Sequence, residues 1–426
     1  MAAAARRTTV PNSPAAAAEP NRELTPPGSR ASNPRNRGSV HGPNTVVARS
    51  RSTYLEFAVG RVFGVERART ADELLPALAP LEALEAAVRQ ALERPPCVVS
   101  FSGGRDSSCV LAIAVRAARK EGLELPIPVT LRFSDAPRTD ETSWQELVVR
   151  SLGLGEWEIL EPENLDLIGP VSAPILRDHG VLWPPNAFFH APALVAASGG
   201  SLLTGFGGDQ LLGGWRRRSV ADALARRRRL EPYDVLRLPH AALPRSVRAP
   251  LERRRQRAAT PSWIRPDAGR RLVTLATRDA LSEPVWWPDW IRWRASGRDL
   301  CTARSSFAAL AHDRGALAVS PLTDRRFVSA VANAGGRLGF GSRTDAMLAI
   351  FDGLLPEALL RRESKATFDE VFWRDGSRGF AEHWDGANVD TDIVDPEALQ
   401  REWLKPSPHA RSAPLLQSAW LAQATS

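Results

Sequence analysis

The chain has 426 residues, of which 43% are hydrophobic and 24% charged, enough apolar material to fill the core of one large domain or two ordinary ones. Its net charge of +8 is unevenly placed: residues 1–52 hold eight arginines against Glu19 and Glu23, and the rest of the chain is nearly balanced. That distribution argues against nucleic acid as a partner of the folded part. No apolar run approaches the roughly 18 residues of a membrane span or follows Arg6 and Arg7 as a secretory signal would require, and the three cysteines, Cys97, Cys109 and Cys301, form no CxxC pair. A reducing, cytoplasmic setting is expected, with neither a zinc site nor a disulfide framework.

Residues 1–50 are rich in Ala, Pro, Ser, Asn and Arg without apolar periodicity, and they read as a disordered basic tail. Over 51–95 a short helical segment is expected, because Leu74, Leu78, Leu81, Leu84, Ala87, Val88 and Leu92 recur at helical spacing. From Cys97 onward, short apolar runs alternate with helical ones. Cys97–Phe101, Pro128–Phe133, Trp157–Leu160 and Ser201–Thr204 read as strands. Asp106–Glu121, ended by Gly122, Glu141–Leu152, ended by Gly153, and Ala191–Ala197 read as the helices between them. Strand and helix in alternation imply a parallel, three-layer α/β sheet. After Gly214 the strand signals stop, and the rest is expected to be mainly helical.

Between the first strand and its helix stands Ser102-Gly103-Gly104-Arg105-Asp106-Ser107-Ser108. Two glycines permit a turn and close approach of a ligand, and the helix start offers unpaired N–H groups at the positive end of its dipole. Serines 102, 107 and 108 add neutral donors, and Asp106 could hold a magnesium ion that bridges phosphates. A capped Gly-Gly turn without a ligand is the plainer reading of the same residues. Only Lys120, Lys365 and Lys405 occur, and none precedes Ser or Thr, so a Walker A loop is excluded.

SGGRDSS resembles the pyrophosphate loop SGGxDS of the N-type ATP pyrophosphatases, among them asparagine, β-lactam, NAD and GMP synthetases and several tRNA-modifying enzymes. Leu203-Thr204-Gly205-Phe206-Gly207-Gly208-Asp209 through Gly214 is similar to the SGxGxDExFGG segment of asparagine synthetase. Ser320–Val328 is similar to that family's PFLD stretch, and Leu355–Phe368 to its LPxxIxxRxKxxF. The resemblance covers residues 97–385 and implies a Rossmann-like ligase domain over 96–385, followed by a C-terminal extension over 386–426. It also implies ATP and Mg²⁺ as cofactors, with nucleotide contacts from Ser102, Gly103, Gly104, Asp106, Ser107, Ser108, Gly205 and Gly207. Adenine contacts would come from Leu131 and Phe133, metal ligation from Asp106 and Asp209, and catalysis from Lys365. In a chain with so few lysines, one flanked by apolar and aromatic residues is also a candidate on physical grounds; an ordinary surface loop is the alternative.

Two departures bear on the substrates. The family's glutaminase begins with a cysteine after the initiator methionine, whereas this chain begins Met1-Ala2-Ala3, so no glutaminase is expected here. Asparagine synthetases carry glutamate and β-lactam synthetases tyrosine where this chain has Phe206. The expected reaction is ATP-dependent amide formation from a small-molecule or peptide carboxylate. The donor would be ammonia or an amine, supplied in one version by a separate amidotransferase. A macrolactam-forming synthetase is the main alternative. A tRNA-modifying enzyme, suggested by the arginine runs 216–218 and 226–229, and a non-catalytic nucleotide-binding scaffold complete the set. Arg325 and Arg326 are candidates to hold a substrate carboxylate.

Overall fold

The computed structural model describes residues 52–66, 78–225 and 244–424. The tail expected over 1–50, Leu74 and the arginine run 226–229 lie outside the described residues. Five strands form one parallel sheet: β1 (Cys97–Ser100), β2 (Ile127–Leu131), β3 (Glu158–Leu160), β4 (Ser201–Thr204) and β5 (Leu317–Val319). Their order across the sheet is β3-β2-β1-β4-β5. Four lie where the apolar runs predict them. The fifth is a correction: strands do not stop after Gly214, because β5 pairs in parallel beside β4 with Leu202 opposite Ala318.

Alternation along each strand gives the sheet two buried faces. Val99 and Leu203 enter one core with the helices Pro80–Leu92, Arg105–Glu121 and Arg325–Ala334. Val98 and Leu202 enter the other, beneath the helices Ala191–Ala196 and Arg298–His312. These are the three layers expected of a Rossmann-like α/β fold. The helix Arg105–Glu121 is apolar on most sides because it packs against both the sheet and Pro80–Leu92; Val110, Leu111 and Ile113 are all fully buried. Each such side chain contributes about 1.5–3 kcal/mol through burial. A third core joins Phe57, Trp263, Trp403, Leu415 and Leu416, so segments from both ends of the described chain share one apolar cluster.

The strand order positions the site. Succession runs outward from β1 to β2 and β3, then jumps to the opposite side for β4 and β5, which makes the β1/β4 junction the switch point of the sheet. In open α/β sheets the crevice at that point, outside the carboxyl ends of the strands, receives ligands. Ser100 pairs with Thr204 in register, so the loops after β1 and β4 leave the sheet side by side. Among the described residues, no helix is long and apolar enough to cross a membrane.

Candidate active site

The loop after β1 is braced by its own hydroxyls. Ser107 Oγ accepts from the Ser102 amide at 3.2 Å and donates to the Gly104 carbonyl at 3.1 Å, while the Gly104 amide donates to Ser102 Oγ at 3.2 Å. Gly104 then caps the helix Arg105–Glu121 from an extended conformation without a side-chain cap. The first-turn N–H groups keep their capacity for an anion. Ser102 is exposed, whereas Ser108 is fully buried with its Oγ unpartnered among the described residues.

The loop after β4 closes against this turn because it lacks side chains where the two meet. A Cβ on Gly205 would fall 2.6 Å from the Ser107 amide nitrogen, and one on Gly208 would fall 2.3 Å from the Asp106 carboxylate. Any larger residue at either place would push the loops apart. Gly207 caps the short helix Gly208–Leu212, whose first turn carries Asp209. The two expected metal carboxylates therefore face a common point.

That point is marked by a residue the motifs did not single out. Arg343 Nη2 donates to Asp106 Oδ1 at 2.7 Å, and Arg343 Nη1 lies 2.5 Å from Asp209 Oδ1. Lys365 Nζ donates to Asp209 Oδ2 at 2.6 Å, although the lysine side chain is 74% exposed. Burial pushes the Asp106 carboxyl above the usual range, against the pull of Arg343. Burial acts the same way on Asp209, but the Lys365 hydrogen bond and the Arg343 charge outweigh it and hold that carboxyl below the usual range. No cluster of three or more metal-ligating side chains occurs among the described residues. Two carboxylates that one guanidinium can span fit magnesium, which takes one or two protein carboxylates and completes its shell with water and phosphate oxygens.

The loop that carries Lys365 is anchored from inside. Arg362 grips both oxygens of Glu141 in a pair buried on both sides, donates to the Gly103 carbonyl at 3.3 Å and stacks over Trp144. Glu141 also accepts from the Ala366 amide at 3.0 Å, one residue past Lys365. One buried pair thus ties the β1 loop to the lysine loop. Arg362 lies within the recognised fourth motif, but nothing in the sequence names Glu141 as its partner. Arg343 had a partial signal, since Ser342-Arg343-Thr344-Asp345 forms a capping box that fixes it at a helix start.

Beside the charged cluster lies an aromatic one. Leu131 ends β2 beside the β1 loop, and Phe133, two residues on, packs on Phe189 and edge-on against Phe368. Phe206 meets Phe307 edge-on at 5.1 Å, and His190 meets the same ring at 5.0 Å. Arg326 spends its guanidinium on Asp324 at 3.0 and 3.1 Å, which leaves little of it for a substrate carboxylate. Arg325 is exposed. In the 216–218 run, Arg216 lies between Glu252 and Glu283, and Arg218 pairs with Asp222. Cys97 and Cys109 are buried; burial raises the first thiol to about 11 and the second well above its ordinary value, so neither is an activated nucleophile.

Comparison with curated proteins finds no match. Comparison with family profiles finds one described as asparagine synthase, which matches residues 80–424 and so takes in the sheet, both crevice loops, Arg343 and the Lys365 loop. The chain belongs to the asparagine synthase family, a family of ATP-dependent ligases.

Proposed function

We propose that this chain activates a carboxylate as an acyl-adenylate, with release of pyrophosphate, and passes the acyl group to ammonia or an amine. The observation that supports this best is the meeting of Asp106, Asp209, Arg343 and Lys365 within single hydrogen-bond distances at the switch point. A substrate carboxylate oxygen would attack the α-phosphorus, and the bond to pyrophosphate would break. The first-turn N–H groups of Arg105–Glu121 would hold the leaving pyrophosphate. Lys365, on a long exposed stem, can move its ammonium from Asp209 to the charge that grows on the phosphates. Arg343 supplies a second, less mobile cation. Magnesium bound between Asp106 and Asp209 would neutralise the phosphate oxygens.

The aromatic wall favours one refinement. Phe206, Phe189, Phe368 and Phe133 present rings rather than polar groups beside the β1 and β4 ends, with Phe307 buried against Phe206. Such a wall suits a bulky or peptide substrate better than aspartate with free ammonia, which supports the macrolactam-forming reading as the second one. The tRNA reading loses support, because Arg216 and Arg218 face acids of the same chain.

The test is carboxylate-dependent exchange of labelled pyrophosphate into ATP, run with L-aspartate, L-glutamate and short peptides carrying either residue. Exchange with at least one is expected. A chain that binds MgATP but exchanges with none would contradict the proposal.

A further inference from the structure

The amide step needs a proton acceptor, and five acids of the polar side are already engaged. When an amine attacks the acyl-adenylate carbonyl, the new C–N bond leaves a proton on nitrogen that must depart as the C–O bond to AMP breaks. Asp106 and Asp209 are engaged by Arg343 and Lys365 and are the carboxylates suited to the metal. Glu141 is buried against Arg362, Asp135 pairs with Arg374, and Asp324 caps the helix Arg325–Ala334 while holding Arg326. Phe206 has no lone pair to offer.

We infer that His190 is the general base of the amide step, accepting the proton at Nε2 from the attacking amine. This rests on the adenylation reading above. Three observations carry it. His190 stands at the carboxyl edge of the sheet, where its Nδ1 lies 3.1 Å from Ser100 Oγ, on the last residue of β1. Its ring and that of Phe206 both pack at near-right angles to Phe307, at 5.0 and 5.1 Å, so one shared ring links His190 to position 206. Nε2, in contrast, has no protein hydrogen-bond partner among the described residues, and it is not among the side-chain atoms sealed from solvent without a partner. In the tautomer whose Nδ1–H donates to Ser100 Oγ, the lone pair sits on Nε2, as a base requires.

The electrostatic setting fixes its resting state. Burial lowers the His190 pKa to about 4, and no charged side chain contributes to that shift. On the neighbouring helix Arg298–His312, Arg304 is turned to the Thr323 carbonyl and Cys301. His190 is therefore neutral at physiological pH, which leaves a ring lone pair available; the same burial disfavours the imidazolium, so proton uptake relies on the negative charge of a bound adenylate to raise its proton affinity during the step. The step balances: amine and acyl-adenylate give amide and AMP dianion, and the proton rests on His190 until water removes it.

Two measurements decide the matter. Diethyl pyrocarbonate reacts with neutral, accessible imidazole, so at pH 5.5 the native protein should be labelled at His190, as mapped by mass spectrometry, and AMP should protect it. An unlabelled His190 in the folded protein would overturn the inference. With the carboxylate that exchanges best and methylamine or ammonium as donor, His190→Gln should lower amide formation relative to pyrophosphate exchange by about 10²-fold or more. Adding Phe206→Glu to that variant should restore part of the ratio. An unchanged ratio in His190→Gln would also overturn the inference. Absence of exchange in the wild type would instead count against the adenylation reading, and labelling would still show whether an accessible neutral base stands there.

Discussion

The two walls of the crevice are built by different means. On the polar wall, Asp106, Asp209, Arg343 and Lys365 hold one another by charge, and glycine-thin loops bring their backbones together. On the aromatic wall, Phe133, Phe189, Phe206, Phe307 and Phe368 hold one another edge to face, with a single imidazole among them. In the proposed reaction the first arrangement would meet phosphate and metal, which are the same whatever acid is activated. The second would meet the acyl and amine partners, which are particular to the chain. A substitution on the polar wall should therefore stop activation itself, and one on the aromatic wall, apart from the adenine contact expected at Phe133, should alter only what is joined.

The largest effect should follow from removing a carboxylate that the metal would need. Asp106→Ala and Asp209→Ala should each lower pyrophosphate exchange on the order of 10³-fold or more. Exchange near the wild-type level in either variant would break the distinction between the walls. Next comes the brace behind the lysine loop. Arg362→Ala strands Glu141 as an uncompensated buried charge and should cost about 3–5 kcal/mol of stability, read as a lower midpoint in urea. Replacing Glu141 by Gln as well should recover part of that loss, and a full-strength penalty in the double variant would show that the pair is not the cause.

Lys365→Ala comes third, with a fall in kcat for exchange of about 10²-fold while MgATP affinity changes little, because its charge is used chiefly as the phosphate bond breaks. Arginine should rescue poorly, its planar fork being unlike a compact ammonium. Normal turnover in the alanine variant would return Lys365 to an ordinary surface residue. The smallest effect belongs to Arg361, the neighbour of Arg362, whose pair with Glu357 is exposed on both sides. Arg361→Ala should shift stability by no more than about 0.5 kcal/mol and leave exchange unchanged, so adjacent arginines of one loop should differ several-fold in cost.

Legibility in the sequence follows the same division. β1 and β4 stand out because both are short, mostly apolar runs that end in glycine-containing turns, and the backbone chemistry of those turns is local to a few residues. Lys365 stands out through the scarcity of lysine. β5 does not, since Leu317–Val319 is three residues long and follows the helix Arg298–His312 with no pattern to separate it. Its strand character comes from pairing with β4, a contact between distant segments. Arg343, Glu141 and His190 escape notice for a similar reason. Each owes its role to a partner about 90 residues away or more: Arg343 to Asp106, Glu141 to Arg362 and His190 to Ser100.

The central claim, activation of a carboxylate at its acyl oxygen by AMP transfer, is tested most directly by the nucleotide products of turnover. With a carboxylate that supports exchange and an accepted amine, AMP and pyrophosphate should appear in equal amounts with the amide, and a carboxylate labelled with ¹⁸O should pass one label to AMP. ADP and inorganic phosphate as products, or AMP without the label, would contradict the account.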